Sequence, residues 1–202
     1  MKTLPTLSLL TLATAVYAAP QSFDFKDPKG VNNVVFKLDA PLESINGSAS
    51  GISGTVSFDP ENPAATSGKI SVTSASLTVP NPMQQEHLHG ANWLDVAKYP
   101  DITFETKSLA NVKTEGNVTT ADVTGTFTLH GVAKDITAPV KLTYLADKLG
   151  ARVPNLKGDL LVLRANFVIN REDFNIQKGQ YEDKVSPTID LSLSLAGASV
   201  KP

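Results

Sequence analysis

The sequence predicts an all-β fold, an antiparallel sheet of about eight strands closing on itself and interrupted by one short helical insert. Three observations carry this. Apolar residues recur at every second position in segment after segment, turns rich in Gly, Pro, Asn and Asp separate those segments, and a single stretch breaks the alternation. A strand points successive side chains to opposite faces, so a sheet with one buried face needs such a pattern.

The opening segment is expected to leave before folding. Lys2 precedes an apolar run from Leu7 to Val16, and Val16 and Ala18 suit the minus-three and minus-one positions of a signal peptidase site. The reading is a signal peptide over 1–18, a single domain over 19–202 and export to the periplasm. Nothing later in the chain approaches the roughly 18 apolar residues of a spanning helix, so no integral membrane segment is expected. The chain has no cysteine, which leaves stability to one hydrophobic core. A net charge of −2, made more negative by loss of Lys2, disfavours nucleic acid as a partner.

In chain order, Val34, Phe36 and Leu38 share one face of the first strand, and Ile52, Gly54, Val56 and Phe58 share one face of the second. The third carries Ile70 and Val72 in one phase and Leu77 and Val79 in the other, which predicts a bulge or sharp bend near Ser74 and Ala75. Next come Ile102 and Phe104, then Val123, Gly125, Phe127 and Leu129, then Ile136, Ala138, Val140, Leu142 and Tyr144. The last two are Leu161, Leu163, Ala165, Phe167 and Ile169, and Ile189, Leu191, Leu193 and Leu195. The insert precedes Ile102. Asn81 can cap a helix with Pro82 at its first position, and Gly90 and Pro100 punctuate the rest, predicting helical turns over 82–89 and 92–98.

The chemistry of the insert is tested by spacing. His87 and His89 stand two apart, so on a helix they point to nearly opposite sides and cannot chelate together. His130 is distant in sequence, and zinc wants three or four ligands, so no metal site is expected. The structural reading makes His87 an anchor that donates to loop carbonyls and Trp93 a lid over one barrel end. "GSASG" (47–51) has Ala49 where a nucleophile elbow needs serine, and phosphate loops, dinucleotide fingerprints and H-E-x-x-H are absent from the sequence. Hence no catalytic residue, no cofactor and no enzyme are expected.

Four ordered segments resemble the YceI-like family. They are "INGSASGISGTVSFDPENP" (45–63), "EHLHGANWLDVAKYPDITFET" (86–106), "GTFTLHGVAKDITAPVKL" (125–142) and "INREDFNI" (169–176). The chain departs from the family pattern at Ala40, often histidine, Ala49, often aromatic, and Asn175, usually glycine. The resemblance implies an extended lipocalin-like barrel in the bacterial periplasm whose interior holds a polyisoprenoid lipid or isoprenoid quinone, without catalysis.

An isoprenoid tail offers only apolar surface, so its site must be a deep tunnel of aliphatic and phenyl groups. The inward stripes supply Phe36, Phe58, Phe104, Phe127, Leu163 and Phe167, with small residues Gly54, Gly125, Ala138 and Ala165 expected to leave space. The same alternation is compatible with a filled barrel acting through its surface, in stress protection or as a redox partner. A phosphorylated head group would call for Lys134, Arg171 or Lys178 at the barrel mouth. The sequence is also compatible with a homodimer.

Overall fold

The computed structural model describes residues 20–201, so the leader expected over 1–18 lies outside the described residues. Among the described residues, eleven strands form one antiparallel sheet. Their register reduces them to eight long strands. β1 (Gln21–Asp24) and β2 (Asn33–Asp39) both run antiparallel to β11 (Thr188–Val200), pairing Asp24 with Ala198 and Asn33 with Ser194. They are two halves of one strand. β3 (Ser44–Ala49) and β4 (Ile52–Phe58) pair with β2 and β1 respectively, and β5 (Ser67–Thr73) and β6 (Leu77–Thr78) pair with β4 and β3.

The remaining strands form a meander: β7 (Asp101–Glu115), β8 (Val118–Leu129), β9 (Val132–Leu145), β10 (Gly158–Asn170) and β11. Pairing of β5 with β7 closes the ring. The protein is therefore an eight-stranded antiparallel closed barrel, the fold class its alternation predicts.

The phase switch in the third long strand is a single 3₁₀ turn at Ser74–Ser76, a sharp bend rather than a bulge. Gly54 has φ +122, and a Cβ there would stand 2.1 Å from the Lys69 carbonyl, so this close strand crossing requires glycine. In the insert, the Asn81 side chain accepts from the Met83 and Gln84 amides and caps α1 (Pro82–His89). Residues 92–98 differ from expectation. They form successive turns instead of a helix, because Asp95 sits at φ 46, where an α-helix cannot continue. No helix among the described residues is long and apolar enough to cross a membrane.

Two apolar clusters stand toward the two ends of the barrel, and one of them fills its end. At the end where β4 finishes, Phe23, Phe25, Phe58, Leu161 and Leu195 are essentially inaccessible, and Tyr144 packs edge-on against Phe23. This end is also tied by polar contacts: the buried Asp159 carboxylate accepts from the Asp147 amide at 2.8 Å and from Tyr144 Oη at 2.8 Å, and pairs with Lys201 at 2.7 Å. Burial raises the Asp159 carboxyl, but these three donors outweigh it and hold the group below its ordinary value. A depressed carboxyl stabilises the fold above the unfolded value of about 4, and that contribution is lost as pH falls through the lower folded value. Asp159→Asn should therefore lose stability at pH 7 and much less at pH 2 to 3, as read by urea unfolding. Equal losses at both pH values would remove the carboxylate from this role.

Candidate functional site

Between the end clusters the barrel is hollow. The cavity measures about 970 Å3, near the upper end of the size range of small-molecule sites, and is walled mainly by apolar side chains of all eight long strands. Ala138 and Ala165 are buried, face inward and line it, so their short side chains do leave space. Gly125 does not. The place of its missing Cβ is taken by the Phe104 ring, whose Cζ would lie 2.5 Å away, so this glycine accommodates an aromatic neighbour rather than a ligand.

Five of the six expected wall residues, Phe36, Phe104, Phe127, Leu163 and Phe167, line the cavity. Phe127 and Phe167 meet edge-on at 6.4 Å. Phe58 is a correction: it is 2% exposed, belongs to the solid end cluster and stands outside the cavity wall. The reason is β1, which pairs with β4 and brings Phe23 opposite Val56, so that phenyl groups close the barrel just where Phe58 points. Val56, Leu142 and Leu195, members of both the end cluster and the cavity wall, form the floor. The "SFDF" stretch (22–25) carries the same period-two signal as the later strands and is the half of the first long strand that precedes Val34.

The opposite end is the mouth, built from the 40–43 turn, the insert and the 171–187 loop. Trp93 lines the cavity there, its ring 6.0 Å from that of Tyr181. His87 does not anchor the insert. It is exposed at the mouth, and among the described residues its side chain makes no hydrogen bond. Anchoring falls to Gln85, which donates to the Leu77 carbonyl and accepts from the Val79 amide, and to His89, whose Nε2 lies 2.8 Å from the same Leu77 carbonyl. Gln85 and His89 are four residues apart, just over one helical turn, so both reach β6, whereas His87 projects away. His130 is elsewhere, its Nδ1 3.2 Å from the Phe174 carbonyl. Among the described residues, no group of three or more His, Cys, Asp or Glu could hold a metal.

Arg171 is the residue whose role was least visible in the sequence. It is 1% exposed and donates to five backbone carbonyls, those of Ser186, Ile176, Gln177, Gln180 and Val185. The face of Trp93 covers it, with the guanidinium carbon 5.9 Å from the ring centroid. Burial pushes its pKa down, opposed by the charges of Glu172 and Glu182. The loop it gathers alternates through left-handed residues at Asn175, Gln177, Gly179 and Tyr181. Gln177 and Tyr181 pay a steric penalty in that conformation, which the hydrogen bonds to Arg171 offset.

A model of the YceI-like domain matches residues 27–196. The chain belongs to the YceI-like family. A "UPF0312 protein" of Pseudomonas putida is 32% identical over 201 residues, covering 97% of this chain and 98% of its own length. Among solved structures, Burkholderia cenocepacia BcnA superimposes with a TM-score of 0.67 at 23% identity over 82% of this chain and 95% of BcnA. A Saccharophagus degradans domain, described as a polyisoprenoid binding domain implicated in plant cell wall breakdown, gives 0.62 at 12% identity, over 89% of this chain and 99% of that domain. These two likenesses concern the fold. Two departures from the YceI-like pattern are accommodated locally. Asn175 adopts φ 58, a left-handed conformation that asparagine tolerates better than most residues, and Ala49 is a buried part of the cavity wall.

Proposed function

We propose that this protein binds and carries a long polyisoprenoid lipid, of quinone or polyprenyl phosphate type, inside the barrel, and that it does so in the periplasm after loss of the 1–18 leader. The observation that carries this reading is the apolar cavity of about 970 Å3, closed at one end by phenyl groups and reached from the other. At roughly 25 cal/mol per Å2, burying several hundred Å2 of tail supplies ample gross driving force, from which ordering the chain subtracts a large part. The polyisoprenoid-binding description of the Saccharophagus degradans relative in fold supports it. The carrier works as a binding protein rather than an enzyme. A barrel acting only through its surface would have no use for a hollow middle.

Native mass spectrometry of the purified protein, followed by organic extraction, tests the proposal. A stoichiometric prenyl lipid is expected; a protein that is empty and refuses loading with a long-chain isoprenoid quinone would overturn it. Trp93 serves as a lid in this reading. Trp93→Ala should speed uptake of an apolar dye and lower the melting temperature by a few degrees, about 1 kcal/mol in a chain of this size. If neither changes, Trp93 is no lid.

A further inference from the structure

We infer that the mouth selects an uncharged, hydrogen-bonding prenyl head group and discriminates against phosphate and diphosphate; this rests on the carrier reading above. Proteins hold phosphate with free Lys or Arg donors or with uncapped helix N-termini. All such devices near this mouth but one, Lys184, are already occupied or stand outside the cavity wall. All five N–H groups of Arg171 are engaged by loop carbonyls, so the guanidinium can offer a ligand its charge but no hydrogen bond. Lys134 is paired with Asp173 at 2.7 Å and does not line the cavity; Lys178 does not line it either.

The N-terminus of α1 does border the cavity, through Asn81, Met83 and Gln84. Its first position is Pro82, which has no N–H, and the next two amides donate to the Asn81 side chain, so no donor remains there for an anion. That leaves Lys184, the cavity-lining cation whose donors are unengaged among the described residues, and it shares the mouth with the carboxylates of Glu43 and Glu86. A diphosphate, having given up its own hydration, would meet two like charges against one solvated lysine and the charge of Arg171, which has no N–H left to donate to it. A hydroxyl or quinone carbonyl meets no such penalty. It finds the His87 imidazole and the Asn92 side-chain amide, neither engaged in a side-chain hydrogen bond among the described residues.

The test pairs two probes with one tail, geranylgeraniol and geranylgeranyl diphosphate, titrated while following emission of Trp93, the single tryptophan. The alcohol should bind about tenfold more tightly. Because any apolar tunnel favours the less soluble probe, the deciding quantity is the change in that ratio in Glu43→Gln/Glu86→Gln, two exposed positions. Neutralising both should improve diphosphate binding by about threefold to tenfold and leave the alcohol unchanged, and added salt should narrow the gap in the unaltered protein alone. Diphosphate binding as tight as the alcohol, or a ratio unmoved by the double substitution, overturns the inference while the carrier reading stands. If neither probe binds and a long-chain quinone also fails to load, the carrier reading fails and takes the inference with it.

Discussion

Ala165→Phe is expected to weaken loading of a long prenyl tail by nearly two orders of magnitude while leaving the barrel folded. Ala165 is 5% exposed and lines the cavity from β10, two residues from Leu163 toward the floor and two from Phe167 toward the mouth. A phenyl group there projects into empty space rather than into packed neighbours, so the overpacking penalty of a filled core does not arise. The ring divides the channel. Losing about 100 Å2 of tail contact, at roughly 25 cal/mol per Å2, weakens binding by about 2.5 kcal/mol, nearly two orders of magnitude. Loading is read by native mass spectrometry and folding by the thermal transition, which should shift little or rise. Should the variant fold poorly, Leu193→Phe, on the partner residue of β11 and also in the cavity wall, makes the same test. An intact transition with unchanged loading would mean that the ligand does not lie in the interior.

Arg171→Met should destabilise the protein by about 3 to 4 kcal/mol, because it removes the donor to five carbonyls and leaves those within the loop to find water or remain unpaired. In a chain of this length that corresponds to a melting temperature lower by about 10 °C. The damage should be local first. With the loop released, the left-handed Gln177 and Tyr181 relax, Tyr181 leaves Trp93, and trypsin gains access at Lys178 and Lys184, both exposed. Arg171→Lys should recover little, since an ammonium has three donors and cannot span carbonyls contributed by residues as far apart as Ile176 and Ser186. An unchanged melting temperature together with unchanged trypsin cleavage in this loop would refute the account.

The strands were legible because their signal is local. Ile52, Val56 and Phe58 announce a buried face by spacing alone, and the structure buries all three. The Asn81 cap was equally legible, since a cap involves only the next few residues. What sequence could not assign was which end of the barrel an inward residue occupies. Phe36 and Phe58 look alike in sequence, yet one lines the cavity and the other stops it, because that depends on where β1 lands against β4. His87 and His89 pose the same difficulty in the insert: Gln85 and His89 gain the Leu77 carbonyl only because β6 runs beneath them. In the sequence Arg171 offers itself only as one of three cations that could meet a phosphorylated head group. Its acceptors lie 5 to 15 residues away in a loop whose path no short-range pattern encodes.

By itself the sequence determined the all-β class, the number of long strands, the capped insert and the family, because alternation, turn chemistry and motif order are properties of neighbours along the chain. Only the tertiary structure decided that the interior is hollow. Whether inward side chains fill a barrel depends on strand stagger and on which rings fall at the same level. Here the phenyl groups of β1 and β4 gather at one end, Ala138 and Ala165 stand midway, and the space between them belongs to no single segment.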